Sequence, residues 1–253
     1  MTSVLVTGSA DGIGRETAAT LVSLGHRVVL HARDEARAGH ALAAVPVAAG
    51  VLVGDLASLA RTREMAAAAE PFDVVIHNAG LGGGLPERTV TEDGLELLFQ
   101  VNVLAPYLLT ALMPRPRRLV YLTSGLESQG VADLDDLQHE RGPWHGMQAY
   151  SDSKLLDVAL AFAVARRWPD VLSNAVDPGW IRTKLGGPNA TDDLPTGADT
   201  QVWLATSDEP AATVTGRYFK WREDLRANPA AYDVEIQDRL LDACAKLTGV
   251  TLT

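Results

Sequence analysis

Short apolar runs alternate with longer segments of helical spacing along most of the chain. Residues 3–7 precede a helical run over 13–24, 27–31 precede 35–44, and 51–53 precede 59–70. The run 73–77 leads into a long helix over about 92–113. Residues 118–123 and 171–176 read as a fifth and a sixth strand, with a helix over about 147–168 between them. The strand runs are continuous Val, Leu and Ile, which suits strands covered on both faces of a parallel sheet. Strands and helices at this spacing predict right-handed βαβ units. The expected fold is therefore α/β, a doubly wound, Rossmann-like parallel sheet in a single domain spanning residues 1–253.

Two stretches break the rhythm. Residues 127–143 are polar and acidic where a short connection would suffice, and they are expected to form a substrate-side insertion. Residues 180–196 include Gly186, Gly187, Pro188 and Pro195, and they are expected to form a lid loop. The helix over 147–168 is apolar nearly all round, through Leu155, Leu156, Val158, Leu160, Phe162 and Val164, and 95–113 is similar. Two covers stay open for these faces: a homodimer through both helices, or the insertion together with the carboxy-terminal segment.

The turn after the first strand reads Thr7-Gly8-Ser9-Ala10-Asp11-Gly12-Ile13-Gly14. Gly8 allows a tight turn, Gly12 lets backbone approach a pyrophosphate, and Gly14 lets the following helix pack close to the sheet. The N–H groups at that helix start favour phosphate, so this strand–turn–helix predicts dinucleotide binding. The second strand ends in His31-Ala32-Arg33-Asp34. Arg33 can pair with a 2′-phosphate, which favours NADP over NAD. Asp34 is read as the N-cap of the next helix, although it could also reach a ribose hydroxyl.

The formal net charge of -10 argues against nucleic acid or an anionic membrane as partner, since either needs a basic surface. A single cysteine, Cys244, excludes a disulfide framework. Neither His139 with His145 nor any other His pair has metal spacing, so no metal is expected. The amino terminus lacks the pattern of a signal peptide and no apolar run spans a bilayer, so a cytoplasmic protein is expected.

Tyr150 and Lys154 stand four apart at the start of a predicted helix, on one face. A phenol with pKa near ~10 is a poor acid or base at neutral pH, and a nearby ammonium favours its ionised form. With these residues in view, the chain resembles a short-chain dehydrogenase/reductase of the single-domain branch. Residues 7–14 resemble that family's nucleotide turn, Asp55-Leu56 its adenine-contacting pair, and Asn78-Ala79-Gly80 its signature after the fourth strand. Asn102, Ser124, Tyr150 and Lys154 match its catalytic positions, and Pro178, Gly179, Ile181 and Thr183 lie in a segment resembling the one that closes over the nicotinamide. The 26 residues from Ser124 to Tyr150 and the strand end at Arg33 are similar to the retinol-dehydrogenase-like group.

The resemblance implies that Ser124 and Tyr150 bind a substrate oxygen, that Tyr150 exchanges the proton, and that Lys154 tunes Tyr150 and holds the ribose. It implies that Asn102 holds a relay water; on the residues alone, a buried Asn satisfied by backbone fits equally well. The expected activity is NADP(H)-dependent reduction of a ketone or aldehyde, or oxidation of the alcohol. Trp144, Met147, Trp180 and Leu185 are candidate pocket residues and suggest a small apolar or aromatic substrate. A nucleotide-binding regulator without turnover, and an epimerase or dehydratase of the extended branch, are the rival readings.

Overall fold

The computed structural model describes all of residues 1–253. Its strands are β1 (Ser3–Val6), β2 (Arg27–Ala32), β3 (Gly50–Val53), β4 (Val74–His77), β5 (Arg118–Leu122), β6 (Leu172–Val176), β7 (Tyr218–Lys220) and β8 (Glu223–Leu225). They form one sheet in the order β3-β2-β1-β4-β5-β6-β7-β8, parallel throughout except at β7–β8. Neighbouring residues of one strand enter different cores: Val4 and Val6 lie in one cluster and Leu5 in the other, and Val74 and Ile76 are likewise split from Val75. Both faces of the sheet are thus buried, which explains the unbroken apolar runs. The strand order reverses between β1 and β4, and such a reversal opens a crevice at the carboxyl ends of the strands.

Helix α1 (Gly12–Ser23) is capped by Asp11, α2 (Glu35–Ala44) by Asp34, and α3 (Leu59–Ala68) by Ser58. The long helix expected from residue 92 starts later. Residues Val90 and Glu96 form a bridge instead, and the Glu96 carboxylate caps α4 (Leu97–Phe99). A π-helical segment (Gln100–Leu104) and α5 (Ala105–Leu112) follow. Pro106 accounts for the widened turn: it has no N–H to give the Asn102 carbonyl four residues back, and its ring crowds that carbonyl.

Helix α6 (Gly146–Arg167) is buried at every position from Ala149 to Ala165 within a single chain. Helix α8 (Val234–Thr248) and the turn Pro229–Tyr232 pack on it, and the turn Gly125–Gln129 covers its amino-terminal half. Near the chain end, the buried Tyr107 hydroxyl on α5 donates to the Val250 carbonyl at 2.7 Å. Of the two covers left open by the sequence, the insertion and carboxy-terminal segment supply it; no second copy is needed to bury α6. Helix α7 (Leu194–Thr206) begins inside the stretch expected to be lid loop. No helix is long and apolar enough to cross a membrane.

Candidate active site

The nucleotide turn is held from behind by a buried histidine. The Gly8 N–H donates to His31 Nδ1 at 2.8 Å, and His31 Nε2 lies 2.8 Å from the Gly54 carbonyl. An imidazole that accepts at Nδ1 carries its proton at Nε2, so it donates to Gly54 and is neutral. Burial holds its pKa below the ordinary imidazole value. The Ser9 hydroxyl accepts from the His31 N–H at 2.8 Å and is fully buried, so Ser9 straps β1 to β2 rather than facing a ligand. Sequence reasoning missed His31, because its role depends on three segments meeting.

Gly8 and Gly12 adopt φ of 64° and 55°, the left-handed region where a side chain is strained. Gly14 is fixed by space: a Cβ there would lie 2.3 Å from Asn78 Nδ2. The Asn78 amide donates to the Thr7 carbonyl at 2.8 Å, while Thr7 Oγ1 accepts from the Asn78 and Ala79 N–H groups. This lattice of short bonds holds the end of β4 against the turn. It leaves the N–H groups of Ile13 and Gly14, in the first turn of α1, without a partner in the chain.

A cleft of about 400 Å³ opens beside this turn, between the ends of β4 and β5, the start of α6 and the loop after β6. Ile13, Asn78, Gly80, Ser124, Tyr150, Lys154, Pro178, Gly179, Ile181 and Thr183 all line it, together with Met147, Trp180 and Leu185. The structure therefore brings most of the expected residues to one place. Trp144 is elsewhere: its indole N–H donates to the Leu85 carbonyl at 3.0 Å, propping the loop after β4. Gly82, Gly83 and Gly84 add a wall the sequence reading left out. At Gly83 a Cβ would meet Tyr150 Cβ at 2.8 Å, so this loop and α6 touch through bare backbone.

Lys154 is buried and donates to the Leu122 carbonyl at 2.8 Å, at the end of β5. Ser124 Oγ accepts from the Leu126 N–H at 3.3 Å. The Asn102 amide is spent: it exchanges bonds with the Leu81 backbone at 2.8 and 3.1 Å and donates to Ser153 Oγ at 2.9 Å. The buried Asn satisfied mainly by backbone is the reading that fits, and it fastens the loop after β4 to α6 between Tyr150 and Lys154.

The remaining expected residues sit around the nucleotide end. Asp11 caps α1 and pairs with Lys184 at 2.6 Å. That contact and Thr183, packed over Gly12, bring the expected lid loop down onto the turn. Arg33 is exposed at the end of β2, while Asp34 accepts from the Arg37 N–H at 2.8 Å as the N-cap. Asp55 is exposed, and Leu56 is buried in the core.

A family model described as short chain dehydrogenase matches residues 2–119. A short-chain dehydrogenase of Penicillium rubens, chyC, is 41% identical over 259 residues, covering 100% of this chain and 99% of its own. Human retinol dehydrogenase 14 is 33% identical over 294 residues, covering 98% of this chain and 86% of its own. A solved structure of a protein from Mycobacterium Paratuberculosis superposes with a TM-score of 0.86 at 27% identity, covering 100% of this chain and 95% of that one. Structures with NADPH or NADP bound also share the fold, at 20–24% identity.

Proposed function

This chain belongs to the short-chain dehydrogenase/reductase family of oxidoreductases, and on that premise we propose that it interconverts a ketone or aldehyde and its alcohol with NADP(H), using Tyr150 as general acid and base. One observation carries the reading: Ser124, just past β5, and Tyr150 and Lys154 on α6 line one cleft together with Ile13 of the nucleotide turn.

The residues fit a dinucleotide. The turn presents unpaired N–H groups of Ile13 and Gly14 at a helix start, next to Gly12, which carries no side chain and is faced by Thr183 of the loop after β6. At Gly80 the bare backbone comes close to Lys154: a Cβ would lie 3.3 Å from Nζ. Gly8, Gly12, Ile13 and Gly14 would hold the pyrophosphate side, Asp55 and the main chain of Leu56, whose side chain is buried in the core, the adenine, and Asn78, Ala79, Gly80, Pro178, Gly179, Ile181 and Thr183 the nicotinamide side. At the ribose, the Asp34 carboxylate is already bound to the Arg37 N–H and to Arg33, while the Arg33 guanidinium is exposed. That arrangement supports NADP over NAD. The bound dinucleotide supplies or takes the hydride.

Ser124 and Tyr150 donate hydrogen bonds to the substrate oxygen as negative charge builds on it, and Tyr150 passes its proton there. The ammonium of Lys154 favours the phenolate left behind. Asn102 contributes through its main chain: with its amide spent on Leu81 and Ser153, a relay water takes the Asn102 carbonyl, which Pro106 deprives of its usual helical donor. Met147, Trp180 and Leu185 are all exposed by about half, at 53%, 51% and 56%, around the same cleft. Apolar surface gathered at a cleft favours an aromatic or aliphatic carbonyl over a charged one. The test is loss of reduced-nicotinamide absorbance with NADPH or NADH across a panel of apolar ketones and aldehydes; no turnover with any of them, or of the alcohols with NADP, defeats the reading.

A further inference from the structure

One helical turn beyond Lys154, α6 carries a second buried charge. Asp157 is 2% exposed; its Oδ2 lies 3.8 Å from Lys154 Nζ and its Oδ1 has no hydrogen-bond partner. Buried carboxylates ordinarily collect several donors, and either charge alone would be an uncompensated ion in the core. Lys154 Nζ is the one group that answers Asp157, while Nζ itself is anchored on the Leu122 carbonyl at 2.8 Å.

No second cation faces this pair: Arg118 of β5 is bound to the Leu204 and Ser207 carbonyls and to Asp208, and Arg239 of α8 to Asp135. On β5, the Tyr121 hydroxyl is hydrogen-bonded to Thr110 Oγ1 at 2.9 Å; burial, reinforced by the Asp157 charge, pushes that phenol up. On β4, the His77 ring stacks 4.7 Å from Tyr121, and burial pushes it down to about 3, so it is neutral. Strand β6 and the π-helical segment carry no titratable side chain. The Tyr107 hydroxyl on α5 is spent on Val250, and the buried Cys244 thiol on α8 is pushed up and neutral.

We propose that Asp157 is a positioning residue for Lys154, its carboxylate serving as the buried counter-charge that fixes the ammonium at the Leu122 carbonyl on the back wall of the cleft. The inference rests on the reading above, in which Lys154 serves Tyr150. Burial pushes the Asp157 carboxyl up to about 7 against the opposing pull of Lys154. The counter-charge is therefore complete above that pH and is withdrawn below it.

The experiment compares pH profiles of kcat for wild type and Asp157→Asn, which keeps shape and removes charge. The expected variant profile lacks the ionisation near pH 7, and its alkaline limb lies at lower pH by about one unit, a tenfold loss on that limb. Superimposable profiles overturn the proposal. Should Asp157→Asn not fold, carboxyl NMR titration of the wild type and of Lys154→Met decides. One aspartate titrating near pH 7 and moving upward in Lys154→Met supports the pair; no carboxyl responding to Lys154→Met overturns it. Wild-type activity in both Tyr150→Phe and Lys154→Met would instead defeat the functional reading, while the carboxyl titration would still decide the pair.

Discussion

The Gly8 N–H and His31 Nδ1 are joined at 2.8 Å, so the first glycine of the nucleotide turn is tied to the second strand by a side chain. The other ring nitrogen reaches the Gly54 carbonyl, and one imidazole thereby fixes the ends of β1, β2 and β3 relative to one another. His31→Phe keeps a ring and removes both bonds. Two buried backbone groups would then be unpaired, at about 1–3 kcal/mol each. Thermal and urea denaturation should show a loss of several kcal/mol, together with weaker NADPH binding; unchanged stability would contradict the assignment.

Gly14→Ala should damage both stability and cofactor affinity. The new Cβ would fall 2.3 Å from Asn78 Nδ2 and 2.6 Å from the Gly8 carbonyl, so the helix start or the Asn78 lattice must shift. Forcing extra volume into a packed site costs about 1–3 kcal/mol. A melting temperature equal to wild type would refute the close-packing role.

Arg33→Ala separates the two cofactors. A guanidinium–phosphate pair contributes about 1.5–3 kcal/mol, so NADPH binding should weaken roughly 10- to 100-fold and NADH binding hardly at all. Isothermal titration with both nucleotides checks this. An equal loss for the two would remove the phosphate assignment.

His77 gives the fold a pH dependence of known sign. Its Nδ1 is buried without a partner and burial lowers the pKa to about 3, against an unfolded value near ~6.5. Its stabilising contribution is complete above ~6.5 and is lost as pH falls toward 3, at about 1.4 kcal/mol per pH unit. The raised Glu96 and Asp157 carboxyls act in the opposite sense, so the comparison must be differential. Urea midpoints between pH 4 and 7 should fall less steeply in His77→Gln than in wild type, and equal slopes would contradict the account.

The sheet through β6 and its crossover helices were legible because each strand announces itself locally, as a short apolar run bounded by turn residues. The nucleotide turn was legible in its glycine spacing: Gly8 and Gly12 answer a local demand of φ, while Gly14 makes room for Asn78. Residues 92–96 were misread as helix because Leu95 stands at helical spacing from Leu98 and Phe99, and the capping bonds of Glu96 leave no mark in the sequence. The β7–β8 hairpin was invisible: Trp221 and Arg222 take positive φ at its turn, where Gly or Asn would have given the signal. Helix α8 could have been read, since Leu240, Leu241, Cys244 and Thr248 repeat on one face between the Asp233 cap and Gly249. Long-range pairings such as His31 with Gly8 and Trp144 with Leu85 leave little mark on the sequence. They depend on which segments the fold brings together.

The most direct measurement is single-turnover reduction of an accepted carbonyl by NADPH with wild type and Tyr150→Phe, alongside NADPH affinity measured by titration. Removing a positioned proton donor costs about 10²–10⁴ in rate. The account predicts a loss of at least a hundredfold in the hydride-transfer step with NADPH affinity essentially unchanged. Equal single-turnover rates for the two proteins would contradict it.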